Sequence, residues 1–150
     1  MTDSESSAAR YHCPRYAPSS MASIPTSKTK GQVEAAITEA ITQYERDQLG
    51  RGPKEAKSFI VENLVVVKLQ GILSPAERQL SHEDDGVELI KQMRRRVIES
   101  CSDDLNGLVE QETGIAVVSM HADISARTGE RVFVFTLDDD LEAALKNRQK

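Results

Sequence analysis

The tightest constraint in this sequence is a pair of extended runs that are apolar on both of their sides. In LVVVKL, Leu64 and Val66 oppose Val65, Val67 and Leu69; in VFVFTL, Phe133, Phe135 and Leu137 oppose Val132 and Val134. Successive residues of a strand point to opposite faces of a sheet. An antiparallel sheet with one wet face shows polar residues on that side, so both faces of this one are expected to be at least partly covered. Either helices wrap round both sides, or a second copy of the chain covers the second face. We expect the second arrangement, a homodimer, because burying a few aliphatic side chains at roughly 25 cal/mol per Å² contributes several kcal/mol.

Each run is one arm of a hairpin. AKSFIVENLVVVKLQG is dense in β-branched residues and carries the polar pair Glu62 and Asn63 at its middle, which predicts strands near 57–62 and 64–71. SMHADISARTGERVFVFTL repeats the form, with strands near 115–124 and 130–137 and the reversal at Thr128-Gly129. Helices fill the rest. Val33, Ile37, Ala40, Ile41 and Tyr44 share one face of a helix that ends near Leu49 and is closed by Gly50, with Glu34, Glu39, Gln43 and Arg46 opposite. Ser74-Pro-Ala-Glu77 is a helix start, with a serine cap, proline at the first position and a glutamate placed to reach the cap's own amide, and it predicts a short helix to about Ser81. HEDDG then sets acids at the mouth of a long helix whose apolar track, from Val87 through Ile90, Met93, Val97, Cys101 and Leu105 to Leu108, leads to Gly114. DDDLEAALKNRQK closes the chain as a short helix with acids first and bases last.

The order α-ββ-αα-ββ-α predicts an α+β fold of two layers: a four-stranded antiparallel sheet from two β-hairpins, with the helices packed on the sheet. Residues 29–150 form a single domain, long enough to bury a core without disulfides. Residues 1–28, rich in Ser, Ala, Pro and Thr and without period, read as a disordered N-terminal tail. YHCPRY within it offers one His and one Cys, too few ligands for a structural zinc, and Met21 is an alternative start to Met1.

Charge narrows the partners. A net charge of −5 is the wrong sign for a protein held to phosphate backbones, so nucleic acid is not an expected partner. Cys13 and Cys101 lie far apart and outside metal-type pairs, which fits a reducing cytoplasm. No transmembrane segment is expected, since the longest apolar run stops at Lys68, far short of the roughly 18 to 20 residues a bilayer demands.

The chemistry-bearing residues gather in the second hairpin. His121 and Asp123 are two apart on a strand and stand side by side, opposite Met120, Ala122 and Ile124. A carboxylate beside an imidazole orients it for base work or metal ligation, with Arg127, Glu130 and Arg131 close by and Ser119 on the same face. The simpler reading is the polar rim of a hairpin, with Asp123 and Arg127 paired across the turn. Arg94, Arg95 and Arg96, flanked by Glu88, Glu99 and Asp103, read as a salt-bridged solvent face rather than an anion site. His82 with Asp84 and Asp85 reads as a helix-mouth acid cluster more simply than as a cation site. Gly52, Gly71 and Gly129 are read as turn residues. The GRG loop would present amides and Arg51 to an anion, but GRGPK follows a helix and lacks the Walker spacing. The candidate ligand or partner contacts are therefore Arg51, Gly52, His121, Asp123, Arg127, Thr128, Glu130 and Arg131, with no catalytic residue, metal or cofactor assigned.

The run TKGQVEAAITEAITQYERDQLGRGPKEAKSFIVENLVVVKLQGILSPAERQLS, followed by MHADISARTGERVFVFTL, resembles the MpsC family, with GRGP, LSPAE and HADISARTGERVFVFTL the most specific pieces. The resemblance covers about Thr29 to Leu141. It implies a cytoplasmic accessory or regulatory subunit, peripheral at the inner face of the cell membrane. Such a subunit docks on a membrane transporter complex that generates a sodium-linked membrane potential or carries bicarbonate. It transfers no catalytic residue, and the long leader before TKGQ departs from the family's usual start. The alternative is a free-standing dimeric sensor that binds a small anion.

Overall fold

The computed structural model describes Ile24 and residues 27–147. Most of the expected tail, including His12, Cys13, Met1 and Met21, lies outside the described residues. Ile24 packs against the core, and Lys28 Nζ lies 3.9 Å from Glu112.

The elements run α1 (Lys30–Leu49), β1 (Glu55–Val61), β2 (Leu64–Gln70), α2 (Pro75–Leu80), α3 (Asp84–Thr113), β3 (Val117–Ser125), β4 (Glu130–Leu137) and α4 (Leu141–Asn147). The expected α-ββ-αα-ββ-α order and the α+β class are both observed. Local chemistry explains the boundaries. Thr29 accepts the Gln32 amide while Gln32 reaches back to the Thr29 amide, a capping box that starts α1. Gly50, at φ 72°, ends α1 in the left-handed conformation that glycine adopts at no steric cost. Ser74 and Glu77 form the same reciprocal pair at α2.

The four strands make one antiparallel sheet in the order β1-β2-β4-β3, so the two hairpins join through their second arms. Registers such as Val67 with Phe133 place the two doubly apolar strands at the centre. Helices α1 and α3 pack on one face of the sheet and against each other. Between the layers lie Ile37, Ile41, Val65, Val67, Leu105, Phe133 and Phe135, all essentially inaccessible. Each large side chain so buried contributes roughly 1.5 to 3 kcal/mol relative to exposure, and the two phenylalanine rings stack at 6.0 Å.

No described helix wraps round to the second face of the sheet, where Leu64, Val66, Val132 and Val134 are half-buried and Phe59 and Val61 exposed. Three expectations are corrected. Helix α3 departs from the predicted track in its middle: Val87, Ile90, Cys101, Leu105 and Leu108 face the core as expected, but Met93 is exposed and Val97 half-buried, while Arg94 and Ile98 turn inward. Arg94 is therefore not part of a solvent face. Glu34 is not a free surface acid either, because its Oε2 accepts the Ile60 amide of edge strand β1 at 2.9 Å. Gly71 and Gly129 have positive φ, as turn residues do, but Gly52 does not; what it provides is room, since a Cβ there would approach Arg46 Nε to 3.3 Å.

Candidate functional site

Three surfaces carry the residues of interest, and the sheet positions all of them. The first is the face that α1 and α3 leave open. Register arranges it in rows across the strands: Lys57, Lys68, Val132, Asp123; then Phe59, Val66, Val134, His121; then Val61, Leu64, Thr136, Ser119. Phe59 is 39% and Val61 51% exposed, and Leu64, Val66, Val132 and Val134 are only partly covered. The rows put cations at the β1–β2 side and a carboxylate at β3. Lys68 also reaches Glu130 at 3.6 Å, and Lys57 lies over the Phe59 ring at 5.3 Å.

The second surface is a groove of about 380 Å³ between α3 and the edge strand β3. Ile98, Met120 and Ile124 give it apolar walls, and two buried guanidiniums, Arg94 and Arg131, lie at its base. Arg94 donates from Nε and Nη2 to both carboxylate oxygens of Glu77, at 2.8 and 2.7 Å, and from Nη2 to the Ile72 carbonyl at 3.0 Å. Arg131 donates from Nη1 to Glu45 Oε1 at 2.8 Å, in a pair that is almost wholly buried. Burial pushes the Arg131 pKa below its ordinary value; Glu45 works against that, and the neighbouring Arg94 adds to it. For Glu77, burial acts to raise the pKa, but the hydrogen bonds from Arg94 and the Ser74 amide outweigh it and hold the carboxyl below its ordinary value. The two guanidiniums at the base of the groove are thus each paired with a carboxylate, Arg131 with Glu45 and Arg94 with Glu77.

His121 and Asp123 form the outer rim of this groove, both exposed. Asp123 does not pair with Arg127. Its Oδ1 accepts the Ile124 amide at 2.8 Å and lies 3.8 Å from Lys91 Nζ, so the carboxylate faces α3 and the strand edge.

The third surface is a cleft of about 400 Å³ where the tip of the β3–β4 hairpin meets the end of β2 and the end of α2. Lys54, Arg78, His82 and Arg127 line it, together with the hydroxyl residues Ser81 and Thr128. The two loops are tied by the Ile72 amide donating to the Gly129 carbonyl at 3.2 Å, and the aliphatic stem of Lys54 covers Gly71 so closely that no Cβ fits there.

The residues singled out from sequence therefore separate. His121, Asp123 and Arg131 share the groove, Arg127 and Thr128 share the cleft, and Glu130 pairs with Lys68 on the open face. Arg51 and Gly52 line neither cavity. Arg94 and Lys91 complete the groove, Glu77 and Glu45 pair with its guanidiniums, and Lys54 and Arg78 complete the cleft, without having been anticipated. Only SPAE carried a local hint, since it fixes Glu77 beside the α2 cap. His82, weighed with Asp84 and Asp85, lines the cleft instead, and among the described residues no group of three potential ligands converges on a metal position.

The chain is thus a two-layer α+β domain with one partly exposed sheet face, a groove and a cleft. The chain belongs to the MpsC family: residues 29–139 match the family described as "Na+-translocating membrane potential-generating system (MpsC)". It is similar to the uncharacterized protein YbcI of Bacillus subtilis (strain 168), 44% identical over 119 residues that cover 79% of this chain and 96% of the relative. It is also similar to the uncharacterized protein YrhF of the same strain, 26% identical over 115 residues, covering 74% and 94%. No solved structure matches the chain.

Proposed function

We propose that the chain is a non-catalytic accessory or regulatory subunit that docks, as a homodimer, on a Na+-linked membrane-potential-generating or bicarbonate-transport complex at the inner face of the cell membrane. The observation that carries this reading is the family match over residues 29–139, whose description names a membrane system. No described helix is long and apolar enough to cross a membrane, which supports docking from the side. The orientation of Asp123 toward Lys91 and the Ile124 amide argues against a His121-centred reaction.

The partly exposed sheet face supports the dimer. Apolar surface of this extent on one side of a domain marks an interaction site. A two-fold axis along the strands, between β2 and β4, sets β1 of one copy over β3 of the other. Phe59 then faces His121, and Val66 faces Val134, so the central rows are self-complementary. The test is affinity purification of the full chain from membranes of its own host. Co-purification of a multi-spanning transporter supports the reading, and a chain recovered in quantity without one overturns it. A second reading, a free-standing dimeric sensor of a small anion, is favoured by one observation, the basic lining of the cleft at the β3–β4 tip.

A further inference from the structure

The cleft at the tip of the β3–β4 hairpin is electrostatically unlike the rest of the molecule. The chain carries a net charge of −5, yet four basic side chains from four separate segments converge on this cleft and no carboxylate lines it. Lys54 comes from the loop before β1, Arg78 from α2, His82 from the α2–α3 link and Arg127 from the hairpin. All four are exposed, and none forms an ion pair among the described residues. Seven other cations have a carboxylate within 4.0 Å, and Arg46, Arg51, Lys57, Arg95 and Arg96 do not; what sets the cleft apart is that its basic side chains share one cavity without an acid in its lining. Like charges gathered without counter-charge repel one another, and an entering anion relieves that repulsion. Ser81 and Thr128 add hydroxyl donors, and the walls are held by the bond between the Ile72 amide and the Gly129 carbonyl.

We propose that this cleft binds a phosphate-type oxyanion, with Arg78 and Arg127 as its main ligands, Lys54 as a flanking charge and the His82 ring as a flanking hydrogen-bonding group. Guanidinium groups suit this role because their planar forks match phosphate oxygens two at a time. About 400 Å³ accommodates a phosphate together with part of the group that bears it. The phosphate comes either from a soluble molecule or from the headgroup of an anionic lipid; the second source would also orient the domain at a membrane surface. The proposal does not depend on the docking or the dimer reading, since the cleft lies at the strand ends, away from the apolar rows.

The experiment uses the full chain and two double variants that remove equal charge: Arg78→Ala with Arg127→Ala in the cleft, and Arg95→Ala with Arg96→Ala on the exposed side of α3. Thermal unfolding checks that each variant folds. Titration calorimetry with inorganic phosphate and pyrophosphate forms one arm, and flotation with phosphatidylcholine vesicles, with and without phosphatidylglycerol, forms the other. We expect binding in at least one arm, weakened about tenfold or more by the cleft variant, as loss of charge-assisted contacts requires, and nearly unchanged in the α3 variant. Binding in the first arm identifies a soluble phosphate, and binding in the second alone a lipid headgroup. Equal loss in the two variants, reporting net charge only, overturns the site, as does absence of binding in both arms.

Discussion

Replacing Glu77 by alanine tests the most specific electrostatic feature of the fold. Arg94 is buried, and Glu77 accepts both of its side-chain donors toward α2, leaving the Ile72 carbonyl as the one remaining acceptor. Breaking a buried pair by removing one partner costs about 3 to 5 kcal/mol, because the remaining charge is left without compensation. Two further effects act here. The substitution opens the α2 capping box, worth about 1 kcal/mol, and it leaves Arg94 near Arg131 at the base of the groove, where only the Arg131–Glu45 pair remains. Against these, Arg94 lines the groove, so water reaches it once the carboxylate is gone. The balance is a loss of about 3 kcal/mol for Glu77→Ala, or roughly 12 °C in Tm for a domain of this size. Adding Arg94→Met removes the stranded charge, so the double variant is expected to be more stable than Glu77→Ala alone. Urea unfolding followed by circular dichroism measures both. A loss below about 1 kcal/mol for the single variant, or a double variant less stable than the single, refutes the argument. The pH dependence has a definite sign: the Glu77 pKa is depressed in the folded state, so its contribution is complete above the ordinary glutamate range and is lost as pH falls through the folded value. Glu77→Ala should therefore flatten the acid limb of the stability curve.

Other substitutions probe separate parts of the structure. Val134→Asp, at the middle of the open face, is expected to halve the mass seen by light scattering while the unfolding transition stays cooperative; an unchanged mass would leave the face without a second copy. Gly86→Ala should destabilise by about 1 to 3 kcal/mol despite the better helix propensity of alanine, because a Cβ there meets the Leu80 carbonyl oxygen and backbone has little room to yield. A gain in Tm would contradict the close approach of α2 and α3 seen here. Gly129→Ala, at φ 70°, should cost about 1 kcal/mol through backbone strain alone, since its Cβ would meet only ordinary contacts near Leu73; chemical denaturation reads it directly.

The elements were legible in the sequence because their signals are local. Alternation at Val65–Leu69 and Phe133–Leu137, the Ser74–Glu77 box and Gly50 each act within a few residues. The departure in the middle of α3 was not legible, because Met93 and Val97 are as apolar as a core demands and three consecutive arginines look like solvent-facing charge. Arg94 turns inward only because Glu77 and the Ile72 carbonyl receive it, and both belong to segments distant along the chain. The candidate residues near His121 divided between groove and cleft for a related reason. Strand parity separates side chains onto faces, but it does not say what a helix thirty residues away brings to one of them. The basic cleft was legible only in pieces: Arg127, Thr128 and His82 were singled out separately, but its four basic side chains are scattered from Lys54 to Arg127 and meet only through the order β1-β2-β4-β3.

The borders of the sheet have a consequence for assembly. Along the outer strands and at the first hairpin turn, the chain closes its own amides with its own acids: Glu34 on Ile60, Glu142 on Glu62, Glu110 on Val117 and Asp123 on Ile124, at 2.8 to 2.9 Å. A foreign strand arriving at either border would find some of its donors already taken by carboxylates. Growth sideways into ribbons or filaments is thereby discouraged.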